Sequence, residues 1–459
     1  MRDRRPRPYE PKRSDRRTVT PSFPWITRRF TAAVVGVAVL VALGTFLHAA
    51  LLLALISGVF VVGLLAADIA SGPRRNEITV TREPIDHLAL RARASLRYAV
   101  VNRSLAAVRY EIVDTPLNAV DMPEEPATGM VGRGMRSIAE LKIMPRLRGR
   151  ATLGALYVSA CTPIGLVIRR WRVLANTEIR IYPDLSAVER YGELARRGRL
   201  VEAGFRRLRY HGRGGEFDAL REWTPDDEFR SINWKASARR AKLMVEQYDV
   251  ERSQTVMLAL DAGRLMTPRL GDQRKFDYAI TAALSVASIA ALVDDKVGLL
   301  AFAGDILEHI PPRAGSAHAA GMTQRVYDLQ PRFEEADYSR AFTYLRRRQP
   351  KRSLVIFFTD MFDPVASAAT LVNLALLTPR HLAVCVLMND EAVQQALEAE
   401  PRDAVAAYAA SVAATLQMER QRASAILTQR GILVIDVPAK DLTVSLINAY
   451  VDIKSRNLL

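Results

Sequence analysis

The chain has 459 residues, 49% of them apolar, with 65 Lys/Arg against 49 Asp/Glu and two cysteines. That length suits two or three domains, and the apolar content excludes a chain disordered throughout. Two cysteines as distant as Cys161 and Cys385 exclude a disulfide framework or a Cys-rich zinc site.

The net charge of +16 raises nucleic acid as a partner, but its distribution argues against one. Residues 1–29 carry +7 and 76–183 carry +6, whereas 253–459 hold 22 basic against 22 acidic residues. Basicity that is densest just before an apolar segment is a membrane pattern, and no nucleic acid is expected as a partner. Residues 1–29 read as a basic, Pro-rich, disordered cytoplasmic tail within reach of anionic lipid. From Phe30 to Ala67, 38 residues pass with no charge except on His48, nearly twice the roughly 20 that one crossing needs. The break at GTFLHA (44–49) predicts a transmembrane helical hairpin within 30–70, its helices at about 31–47 and 50–67. Ten Lys/Arg precede it and Arg74–Arg75 follow, with none in the turn. The expectation is a multi-pass protein of a bacterial plasma membrane with both termini cytoplasmic.

Residues 76–183 show short alternating segments such as EITVTREP (77–84), LRYAVVNRS (96–104) and VRYEIVD (108–114). They predict a small antiparallel β-sandwich. The stretch 148–184 reads as three strands, punctuated by Gly154, the Thr162–Gly165 turn and Asn176–Thr177. Residues 184–252 form a polar connector that begins with a helix at SAVERYGELARR. From 253 to 459 the pattern changes. Apolar strands at 255–263, 297–304, 353–363, 381–390 and 431–438 alternate with helical stretches, the clearest at 276–295. This predicts an α/β doubly wound, mainly parallel sheet whose site lies at the C-terminal strand ends, where Asp261, Asp360 and Asp390 fall.

The stretch REWTPDDEFRSINWKASARRAKLMVEQYDVERSQTVMLALDAG (221–263) resembles the bacterial "domain of unknown function 58" family. Trp223, Asp227, Arg230, Ile232, Trp234, Lys235, Ala238 and Arg239 match its motif; Asp226 replaces a glycine and Asn233 an aspartate. RGRATLGAL…TPIGL (148–166) and the hairpin also resemble members of that family. The resemblance implies a von Willebrand factor A-like C-terminal domain that binds a protein partner. It also implies company with a MoxR-type AAA+ ATPase in assembling or remodelling a complex.

An adhesion site of the von Willebrand type needs Asp-x-Ser-x-Ser, a Thr and a further Asp to hold Mg²⁺. Here the first element is Asp261-Ala262-Gly263-Arg264-Leu265, so both serines are missing; Ser339 is the candidate for the middle position and Asp360 for the last. The expectation is a degenerate site with no resident cofactor, its aspartates capped by backbone N–H groups or by Arg264. Trp223, Asp226, Asp227, Arg230, Asn233, Trp234, Lys235 and Arg239 are candidate partner-binding residues, with packing of the connector as the competing reading. No GxGxxG, Walker A, GxSxG or HExxH motif occurs, so the chain is not expected to be an enzyme. The alternatives are a metal-dependent hydrolase using Asp261, Asp360 and Asp227, or nucleic-acid or anionic-lipid binding by the basic N-terminal half.

Overall fold

The computed structural model describes residues 24–46, 48–85, 87–188, 211–224, 229, 232–249, 254–360 and 377–456. The expected disordered tail up to residue 23, most of the connector's expected first helix, and Asp226, Asp227 and Arg230 lie outside them. The chain divides into two units, Met1–Ile181 and Tyr182–Leu459.

The first unit opens with a short strand, β1 (Pro24–Ile26), and two apolar helices, α1 (Arg28–Gly44) and α2 (His48–Ser71). Thr27 caps α1 by accepting the Phe30 N–H, and no proline interrupts either helix. Gly44 lets the helices close on each other, since a Cβ there would lie 2.6 Å from the Leu51 side chain. Among the described residues two helices are long and apolar enough to cross a membrane: α2, which is almost nowhere buried, and Lys275–Leu292, which is buried in the core of the second unit. The 17-residue α1 spans about 25 Å at about 1.5 Å per residue.

Eleven antiparallel strands follow: β2 (Ile78–Arg82), β3 (Leu88–Ala89), β4 (Ala94–Asn102), β5 (Val108–Asp114), β6 (Val120–Asp121), β7 (Ala127–Val131), β8 (Arg136–Pro145), β9 (Gly149–Leu153), β10 (Leu156–Cys161), β11 (Val167–Val173) and β12 (Thr177–Tyr182). They form sheets ordered β1-β11-β10-β5-β7, β2-β4-β8-β6 and β3-β12-β9 around one apolar core. The period-2 pattern drives this, as in β2, where Ile78, Val80 and Arg82 point inward and Thr79 and Thr81 outward. Arg82 enters the core because its Nη2 donates to both Asp114 oxygens at 2.8 and 2.7 Å and its Nη1 to the Ala175 carbonyl at 2.6 Å, with Tyr98 Oη donating to the same carboxylate at 2.8 Å. The 148–184 stretch holds four strands rather than three. Each of the three turn signals separates two strands, so three breaks make four segments.

In the second unit β13 (His211–Glu222) and β14 (Met244–Asp249) pair antiparallel, with helix α3 (Trp234–Arg240) between them in sequence. The main sheet contains β15 (Thr255–Asp261), β18 (Lys296–Phe302), β19 (Ile306–Arg313), β20 (Leu354–Phe358), β21 (Leu382–Asn389) and β22 (Leu433–Pro438). The small strands β16 (Arg269–Leu270) and β17 (Gln273–Arg274) form a separate ribbon. The main sheet is mixed, in the order β19-β18-β15-β20-β21-β22, with only the β18–β19 pair antiparallel. Helices α4 (Lys275–Leu292), α5 (Ser316–Val326) and α9 (Leu442–Ser455) cover one face. Helices α6 (Tyr338–Arg348) and α8 (Ala404–Gln429) cover the other, while α7 (Glu391–Glu398) is a short connector. Burial on both faces is why β15, β18, β20 and β21 are continuously apolar. The edge strand β19 was not expected. Its Pro311–Pro312 pair reads as loop, and an edge is where a strand tolerates prolines.

Candidate functional site

Parallel pairing of β15 with β20 sets Leu260 opposite Phe358, so Asp261 and the Thr359–Asp360 pair emerge side by side at the strand ends. Both carboxylates are fully buried. Asp261 Oδ1 accepts the Gly263 N–H at 2.7 Å, while Oδ2 accepts the Thr359 hydroxyl at 2.7 Å and the Tyr338 hydroxyl at 2.8 Å. Burial pushes the Asp261 carboxyl above the usual carboxylate range, against the pull of those three donors. Asp360 is held differently. Lys275, the first residue of α4 and itself only 2% exposed, places its ammonium on Oδ2. Arg420 of α8 donates to Oδ1 at 3.0 Å and binds Asp436 of β22 with two bonds of 2.8 Å.

This donor set does not fit a divalent cation. Mg²⁺ requires oxygen ligands with lone pairs free to face it, and here an ammonium and a guanidinium already occupy the Asp360 oxygens. Lys275 supplies the positive charge that a metal would bring. Among the described residues no group of three or more His, Cys, Asp or Glu side chains is arranged to hold a metal. Ser339 is exposed on α6, and the side chain that reaches Asp261 is its neighbour Tyr338. Arg264 pairs with Glu335 rather than with either aspartate.

The motif residues divide into two groups. Ile232 is buried and bridges to Val245, and half-buried Trp223 packs against Phe229 with ring centroids 5.8 Å apart. Asn233 caps α3, its Oδ1 accepting the Ala236 N–H at 2.9 Å. Asparagine and aspartate are near-equal N-caps, so the departure from the motif at this position preserves the helix start. Ser237 completes the turn by donating to the Asn233 carbonyl and accepting the Met244 N–H, each at 2.8 Å. Trp234, by contrast, is 63% exposed, and Lys235, Arg239 and Arg240 of the same helix are exposed as well.

Residues 219–425 match the family described as "Protein of unknown function DUF58". The match begins within β13, takes in the α3 motif and the strand-end cluster except Asp436, and ends within α8. An uncharacterized protein of Mycobacterium bovis and one of Mycobacterium tuberculosis are each 24% identical over 156 residues, 34% of this chain and 49% of theirs. The chain thus spans about half the length of the curated relatives it matches. A crystal structure of the conserved hypothetical protein BatB from Bacteroides thetaiotaomicron is similar at 14% identity and a TM-score of 0.28, covering 45% of this chain and 100% of that one.

Sequence reasoning found Asp261 and Asp360 but missed Lys275, Arg420, Asp436 and Tyr338. A lysine opening an otherwise apolar helix was the available signal for Lys275. Arg420 lies among other charged residues on a long helix, and its partners are 16 and 60 positions away.

Proposed function

We propose that the protein is a non-catalytic adaptor, tethered in a bacterial plasma membrane by the α1–α2 hairpin, whose DUF58 domain binds a protein partner. The sheet with one antiparallel edge and helices on both faces supports a von Willebrand factor A-like arrangement. The observation that carries the reading is the contrast within that domain. Its strand-end carboxylates are saturated by Lys275, Arg420 and neutral donors, while Trp234 is presented to solvent among cationic side chains. A saturated buried cluster offers neither a free general base nor a metal position. An exposed tryptophan on a short helix that also exposes Lys and Arg has the composition of a binding hot spot. It suits a partner surface with an apolar pocket and acidic rim. A MoxR-type AAA+ ATPase is the proposed partner, with both termini of the adaptor on the cytoplasmic side.

The test is affinity purification of tagged full-length protein from native membranes, wild type beside Trp234→Ala. An ATPase captured by the wild type and lost from the variant is the expected result. Equal capture by both overturns the assignment of the surface, and capture of no ATPase overturns the partner.

A further inference from the structure

The junction between the hairpin and the first β-sheets is built as a lock. Asp68, one turn before the end of α2, is fully buried against the β10–β11 turn. Its Oδ1 accepts the Ile164 N–H at 2.9 Å, and Oδ2 accepts the Leu166 N–H at 2.8 Å and the Thr162 hydroxyl. Arg169 returns the contact, donating to the α2 carbonyls of Ile69 at 2.6 Å and of Pro73, just beyond the helix, at 3.2 Å. On the α1 side, β1 pairs with β11 and the Thr27 hydroxyl donates to Gly165 O at 2.8 Å. Two glycines permit the approach: a Cβ on Gly72 would lie 2.6 Å from Thr162, and Gly165 adopts a φ of +83°.

Both helices therefore leave the sheets at one fixed edge, and the surface around that edge is basic and aromatic. Trp25 and Ile26 are 56% and 61% exposed, and the Arg170 guanidinium lies 5.0 Å over the Trp25 ring. Arg28, Arg29, Arg74 and Arg75 are exposed at the two helix ends. Of the nearby carboxylates, Asp68 is turned inward and Glu77 accepts the Arg74 backbone N–H at 2.7 Å. Arginine is suited to phosphate, and tryptophan to the level of lipid headgroups.

We infer that this edge is an anionic-phospholipid surface. Arg28, Arg29, Arg74, Arg75 and Arg170 bind headgroup phosphates, Trp25 sits at the interface, and Asp68 holds the β-sheets down on the bilayer. The inference rests on the hairpin's crossing the membrane.

The test is hydrogen exchange on the full-length protein in nanodiscs of phosphatidylglycerol and of phosphatidylcholine, followed at residues 24–30 and 162–170, with 255–260 as the internal reference. Wild type is set beside Arg29→Gln/Arg74→Gln/Arg75→Gln/Arg170→Gln. The expected result is severalfold slower exchange at both segments in phosphatidylglycerol, lost in the variant while 255–260 is unchanged. Equal exchange in the two lipids, for protein that inserts, overturns the headgroup surface and leaves the tether standing. Protein that alkaline carbonate strips from membranes overturns the tether as well.

Discussion

Beyond β15 and β20, Asp360, Lys275, Arg420 and Asp436 are turned on one another beside Asp261, which neutral donors hold, and the group is largely closed to solvent. On α3 the same kinds of side chain, Lys235, Arg239 and Arg240, stand in solvent beside an exposed tryptophan. The first cluster occupies the position where a sheet of this type holds its ligand, yet its charges are paired with one another. The second lies on a seven-residue helix outside the main sheet and is exposed to solvent. Position in a fold marks where a site could be; the partners of each charge decide whether one is there.

The largest way to break this contrast is at Lys275. Lys275→Met removes the ammonium from the buried Asp360 carboxylate, and a loss of about 3–5 kcal/mol in the stability of the second unit is expected. Chemical denaturation measures it, and Lys275→Met/Asp360→Leu should recover most of the loss because the under-compensated buried charge is gone. Next comes the other saturated carboxylate. Asp68→Ala orphans the Ile164 and Leu166 N–H groups and should lower the melting transition of the first unit by the equivalent of about 1–3 kcal/mol.

A smaller effect sharpens the electrostatics. Burial raises the Asp261 carboxyl above its ordinary value of 3.8, so the folded state holds that proton more tightly than the unfolded chain. The associated stability is present in full below the ordinary value and is lost as pH rises through the folded one. Asp261→Asn removes that dependence, so the difference between variant and wild type should move in the variant's favour as pH rises across this window; a difference flat with pH would contradict it. The smallest stability effect is at the exposed site. Trp234→Ala should change stability by no more than about 0.5 kcal/mol in a thermal melt while abolishing partner capture.

Much of this was legible in the sequence. Period-2 and continuous apolar runs gave the strands of both units, because burial on one face or on both writes itself into local composition. The uncharged run of 30–67 foretold the two apolar helices, which the structure places at Arg28–Gly44 and His48–Ser71. The β19 edge stayed hidden behind its prolines, and Tyr338 behind its neighbour Ser339. Pairings such as Lys275 with Asp360 and Asp68 with the 162–166 turn were not legible either. They join positions 85 to 98 residues apart, and nothing local distinguishes a charge with a distant buried partner from one in solvent. In the sequence, Asp68 only ended an uncharged run.

The most direct test of the account is calorimetric titration of Mg²⁺ into the purified full-length protein, beside Asp261→Asn/Asp360→Asn. With Lys275 in the cation's place, the account predicts no saturable heat at millimolar Mg²⁺ for either protein. Saturable binding of one Mg²⁺ per wild-type chain, lost in the double variant, would contradict it.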